Sequence, residues 1–301
     1  MDTLDSLATS HHWVHGSMTK PFTSIITLYM GQQLALELAV REIVSVVNEV
    51  YYGGDSDLDE YLKDIWSTII HTSRKIPRET PHSPPDVPTT LQLRLAALLL
   101  TLKRQPDPAP MPTMHLRSPV NARRDLSWKQ LPLFEETVHE ALDDEPGRRA
   151  GFTKVETEGW VNFMAFLALI TKERVAGFEN VGIGVLRWAL EERHDSSALN
   201  STGVSGEGKI DEAAKLNVFV VAASIWAVVM GEELWERMRE KAESPVGLSL
   251  KPAPEPHIGK VPKRRWEMWI DRLQFLSLRE DLNIGARELA AEAAAVMSRV
   301  L

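Results

Sequence analysis

Three polar side chains sit in apolar stretches of this sequence, where a donor or a proton carrier would have chemical use. Asn162 lies between Val161 and Phe163. Arg187 lies in VLRWALEE, four residues before Glu191, a spacing that lets two side chains meet on one helix face. His139 follows Glu135 and Glu136 by about one helical turn. A donor held in a dry cavity stabilises charge developing on a substrate far better than the same donor in water. Walls for such a cavity are Trp160, Phe166, Trp188, Trp226, Trp266 and Trp269, drawn from four expected helices. The chain has nine Trp and only four Tyr, and Trp serves a ligand wall and a packed core equally well. Arg187 and Asn162 are the expected catalytic donors. The competing reading of each is a satisfied structural polar group.

Other motifs fail on spacing. His11, His12 and His15 have helical metal-ligand spacing, but no carboxylate completes the set. The run Asp55-Ser56-Asp57-Leu58-Asp59 invites a calcium loop, yet Glu60 stands where the loop needs Gly and Trp66 where it needs Glu. Acidic residues opening a helix explain it better. The stretch from Gly203 to Lys209 has phosphate-loop spacing, but Ile210 replaces the Ser or Thr that would hold magnesium. Asp143-Asp144-Glu145-Pro146 lacks the second half of a diphosphate-binding helix, and neither H-E-x-x-H nor G-x-S-x-G occurs. No metal site and no cofactor is expected.

The net charge of −8 and pI near 5.7 disfavour a nucleic-acid partner, which calls for a basic face. The basic clusters Arg123-Arg124, Arg148-Arg149 and Lys263-Arg264-Arg265 are short. No cysteine is present, which removes disulfides and thiolate chemistry. The first residues lack a basic region followed by an apolar run, so no secretory signal is read there. The apolar runs 95–100 and 218–230 are too short to span a bilayer. A cytoplasmic protein without membrane insertion follows as the expectation.

The elements that must position these residues are helices. The expected class is all-α: one irregular domain over 21–301, of roughly eight to ten helices, behind a loose tail over 1–20. Its centre is the stretch 211–235, charged at both ends and apolar nearly all round, so that it must be covered on every side. Apolar residues recurring at three and four give one helix over 25–52, stopped by Gly53-Gly54. The next carries Leu58, Tyr61, Leu62, Ile65, Trp66 and Ile69 on one face and ends before Pro77. Further helices are read over 90–103, 128–142 with Pro132 in its first turn, 160–171, 178–193, 263–280 and 286–301. Pro-rich crossings connect them at 76–90, 106–119 and 245–262, and 194–209 is a polar loop. No strand pattern with steady alternation is found.

Five blocks give the chain a likeness. They are Trp128…Leu131-Pro132…Phe134; the helix from Trp160 through Asn162 and Phe166 to Thr171; Gly184 through Arg187-Trp188 to Glu191; Ala222-Ala223…Trp226…Gly231…Leu234-Trp235; and Arg264-Arg265-Trp266…Trp269 with the alanines up to Met297. In this order the chain resembles a family of fungal proteins of unknown function, over about 128–297. The resemblance implies an all-helical fold and a filamentous-fungal source, and it carries no established reaction. Some fungal proteins of unassigned families are encoded beside secondary-metabolite genes, and several proved to be cofactor-free cyclases. That is analogy, since fold does not fix function.

Two functions fit. The first is a cofactor-independent cyclase or isomerase that folds an apolar metabolite for a pericyclic, Diels–Alder-type closure. Such chemistry needs a shaped dry cavity and one or two donors. The second is a non-catalytic helical binding or scaffold protein, in which the same tryptophans are core. A dry cavity of a few hundred Å³, about the small-ligand range, separates them.

Overall fold

The computed structural model describes residues 5, 21–53, 58–79, 87–109, 126–147, 151–192, 211–243 and 262–301. His11, His12, His15, residues 55–57, the glycine-rich stretch 203–210, Arg123-Arg124 and Arg148-Arg149 lie outside them. So do residues 80–86, 110–119 and 245–261 of the expected Pro-rich crossings. The described residues form α-helices and one 3₁₀ turn, with no strand among them. The all-α class is therefore the observed one. The helices gather into two compact units, Met1–Pro77 with Thr89–Gly159, and Arg78–Pro88 with Trp160–Leu301.

In the first unit, α1 (Pro21–Met30) opens on a proline, whose missing N–H costs nothing at a first turn. It buries Phe22, Ile25, Ile26 and Tyr29, one stripe at helical spacing. The single helix expected over 25–52 is broken here, and α2 (Leu36–Gly53) starts afresh. Gln32 takes a left-handed conformation at φ 61°, and the Gln33 N–H closes on the Leu28 carbonyl at 2.9 Å. This is a Schellman stop whose left-handed position is taken by glutamine, one residue after Gly31.

Helix α3 (Leu58–Lys75) begins with Asp59 and Glu60 in its first turn and ends on Arg74 and Lys75, in accord with the macrodipole. It buries Leu62, Ile65, Trp66 and Ile69 as expected. Helix α4 (Thr90–Lys103) is capped by Thr89, whose hydroxyl accepts the Gln92 N–H. The expected helix over 128–142 is shorter. Trp128–Gln130 is a 3₁₀ turn, Leu131 and Leu133 are left-handed at φ 47° and 64°, and α5 runs only over Phe134–Leu142. Pro132 stands before the helix, and its carbonyl accepts the Trp66 indole N–H at 2.7 Å. Phe134 meets Trp66 edge-on, so the kinked entry brings these two buried rings together.

Helix α6 (Lys154–Lys172) starts six residues ahead of the expected 160. Its Trp160 and later residues belong to the second unit. There α7 (Glu179–Glu191), α9 (Pro262–Ser277) and α10 (Ile284–Arg299) pack on α8 (Glu212–Glu243), and α9 packs on α10. Helix α8 is the expected central helix, and it is central to this unit. Val220, Ala222, Ala223, Ser224, Trp226 and Ala227 are sealed from solvent. It runs through the charged turn after Trp235 and kinks at Met230 (φ −127°, ψ 15°). By length and composition Glu212–Glu240 is apolar enough to cross a membrane, and 67% of its most apolar window is buried in the protein.

Candidate functional site

Glu191 ends α7, where the helix dipole disfavours a carboxylate. Two groups from α9 hold it there. The Trp269 indole N–H donates to Glu191 Oε1 at 2.8 Å, and Arg265 Nε stands 2.9 Å from the same oxygen. Trp266 donates instead to the Met297 carbonyl of α10 at 3.0 Å. The rings of Trp235, Trp266 and Trp269 form a continuous cluster, with centroids 5.5 and 5.9 Å apart. Of the expected walls, Trp266 and Trp269 are thus brought together. Both are fully buried, and their donors are spent on the protein.

The other expected residues are placed separately. Trp226 is sealed against Gly182 of α7, its indole N–H buried without an acceptor. Trp188 sits edge-on to Phe219 and keeps partial exposure. Trp160 meets Phe163 at 6.2 Å, and Phe166 is fully buried. Asn162 Oδ1 accepts the Arg78 backbone N–H at 3.0 Å, tying the segment at 78 to α6. Arg187 lies on the exposed side of α7. Its expected place as a donor inside an apolar cavity is corrected: at this register the helix turns Leu186, Ala189 and Leu190 inward and Arg187 outward. His139 is largely exposed, 3.8 Å from Glu135, while Glu136 and Glu140 pair with Lys63. Asp144 stands 3.8 Å from Arg74, a buried guanidinium whose pKa burial pushes down to about 10 against the pull of that carboxylate.

A cavity of about 460 Å³ opens elsewhere, between α1 and α2. Pro21, Ser24, Ile25 and Leu28 line one side, and Glu42, Ser45 and Val46 the other. None of the expected wall residues is among these. Leu28 and Leu38 on the same helices are 39% and 41% exposed, so the apolar surface continues outside the groove.

The sequence reading also missed a polar stripe on α3. Asp64, Ser67, Thr68 and Arg74 are buried, and His71 is nearly so. Their spacing of three and four was visible in the sequence, but polar residues at that period read as a solvated face. His71 Nε2 lies 2.7 Å from Asp5 Oδ1, and Lys75 Nζ reaches the two Asp5 oxygens at 3.0 and 3.1 Å. Burial lowers the His71 pKa despite that carboxylate, with Lys75 and Arg74 acting in the same direction. Among the described residues no group of three or more His, Asp or Glu is arranged to hold a metal.

An all-α protein with a tryptophan cluster whose Trp266 and Trp269 donors are bonded within the protein, and with an open, partly apolar groove, is the class these features define. The chain belongs to the family described as protein of unknown function (DUF3632), which matches residues 66–273. The match begins earlier than the blocks read from sequence and stops before the alanine-rich α10. Every tryptophan except Trp13 falls within it, whereas α1 and α2 lie outside. Neither a curated protein nor a solved structure matches the chain.

Proposed function

We propose that this protein is a non-catalytic helical binding protein that seats an amphipathic helix of a protein partner in the α1–α2 groove. The observation that carries this reading is how the candidate site is used. Trp269 and Trp266 give their N–H groups to Glu191 and Met297, Trp226 fills the space over Gly182, and Asn162 holds backbone. Side chains engaged in this way serve the core. The groove supplies apolar contacts from Ile25, Leu28 and Val46, which suit the i, i+3, i+4 anchors of a helix. Glu42 is the charged group in its lining, so the fitting partner carries a lysine or arginine beside its apolar face. A filamentous-fungal source and a cytoplasmic setting belong to this proposal, the source through the resemblance stated above. The cofactor-free cyclase of secondary metabolism is the rival it displaces.

One experiment separates the two. The gene is deleted in the source organism, and any compound that accumulates is offered to purified protein with chelator present. In parallel, partners are captured with wild type and with Leu28→Glu, whose helicity is checked by circular dichroism. The expected result is no conversion, and a partner held by wild type and lost with Leu28→Glu. Conversion of the compound overturns the proposal in favour of the cyclase. A partner retained by Leu28→Glu overturns the groove.

A further inference from the structure

Helix α3 carries four serine and threonine hydroxyls, and three are spent on its own carbonyls. Thr68 donates to Asp64 O, Thr72 to Thr68 O and Ser73 to Ile70 O, at 2.7 to 2.8 Å. The Ser67 hydroxyl makes no such bond and is buried. One turn on, His71 Nδ1 is also buried without a partner. Residues four apart share a helix face, with Cβ atoms about 5–6 Å apart. No direct bond joins the two groups, and at that spacing one bridging water can reach both. Two complementary groups face it, a hydroxyl and a ring nitrogen.

The tautomer of His71 follows from its other side. An ionised carboxylate only accepts, so Nε2 beside Asp5 carries the proton. A neutral ring then presents a lone pair at Nδ1, which a water or hydroxyl can satisfy. A second proton would put a positive charge on a ring that is largely cut off from water, which burial disfavours. We propose that Ser67 and His71 share a single buried water site, completing a relay from Asp5 through His71 to Ser67 that gives α3 a proton-sensitive hold on the chain at Asp5. The charges acting on the ring are Asp5, Lys75 and Arg74.

The sign is set by burial. The folded pKa of His71 lies below its ordinary 6.5, so the unfolded chain binds the extra proton first as pH falls. The hold is complete above about pH 6.5 and is lost as pH drops below it toward the folded value. The test uses the full chain labelled with ¹⁵N, with His71 assigned through His71→Gln. Long-range proton–nitrogen spectra at neutral pH are expected to show the Nε2–H form. Ser67→Ala is expected to move the Nδ1 resonance toward that of a lone pair without a donor. His71→Gln, whose amide still donates to Asp5, is expected to flatten the loss of stability as pH falls below about 6.5. An Nδ1–H tautomer overturns the relay. An Nδ1 resonance indifferent to Ser67→Ala, in a protein whose circular dichroism is unchanged, overturns the shared water. Equal acid sensitivity of wild type and His71→Gln overturns the proton-sensitive hold.

Discussion

Gly182 leaves no room for a side chain. A Cβ there would stand 2.5 Å from Trp226 Cε3 and 2.9 Å from Cδ2. Both belong to a rigid indole held in a sealed helix, so neither can retreat cheaply. Gly182→Ala should therefore destabilise the protein by about 1–3 kcal/mol, the usual cost of overpacking. The gain in helix propensity, about 1 kcal/mol in the opposite direction, reduces that but does not cancel it. Urea denaturation followed by tryptophan fluorescence checks this, and an unchanged midpoint would contradict the close packing. The same contact bears on Trp226 as a candidate wall: the ring is sealed from solvent and pressed to a helix backbone. No feature of the sequence paired Gly182 with Trp226, because the residues are far apart along the chain and meet only through the packing of α7 on α8.

At the scale of elements, caps and stops explain most departures from the expected boundaries. Helix α6 begins early because Thr153 and Glu156 form a reciprocal capping box. The Thr153 N–H donates to Glu156 Oε2 at 2.9 Å, and the Glu156 N–H to Thr153 Oγ1 at 3.3 Å. Glu156 also takes the Gly151 N–H at 2.9 Å and is buried. The T-x-x-E signature was legible, and hydrophobic periodicity alone hid it. Thr153→Ala should cost about 1 kcal/mol of stability, and Glu156→Ala more, since it releases the Gly151 and Thr153 N–H groups together. Thermal melts of the two variants rank these losses, and equal melting points would argue against the box. The stops at Gln32 and Arg174 are the opposite case. Both are left-handed non-glycine residues, at φ 61° and 56°. Local backbone bonds close both stops, Gln33 N–H on Leu28 O and Val175 N–H on Ile170 O, and neither left-handed position carries the glycine that usually marks it.

For the molecule as a whole, the family match and the packing draw different boundaries. The match ends at Leu273, yet α10 beyond it covers both α8 and α9, and its Met297 carbonyl accepts the Trp266 N–H. Gly231 of α8 comes so near Val296 that an added Cβ would lie 3.1 Å from it. Removing residues 282–301 should therefore collapse the second unit rather than trim it. Lost near-ultraviolet circular dichroism and a red-shifted tryptophan emission are the expected signs. A truncated chain with native spectra would show that the matched stretch is self-sufficient. The groove raises the converse point, since α1 and α2 precede the match. Its proposed binding role belongs to this chain's own N-terminal helices and is tested separately from the family's shared core.

The sequence by itself determined the helical class, the burial of the stretch around Trp226 and the end of α3 ahead of Pro77. Those follow from local properties: period 3.6, an apolar run charged at both ends, and prolines that cannot continue a helix. Tertiary structure alone decided what the polar and aromatic residues touch. Whether an indole N–H meets a substrate or a carbonyl such as that of Met297, and whether Arg187 faces a cavity or water, depends on the register of one helix against another. A rotation of one residue, about 100°, reverses the answer without changing any local pattern.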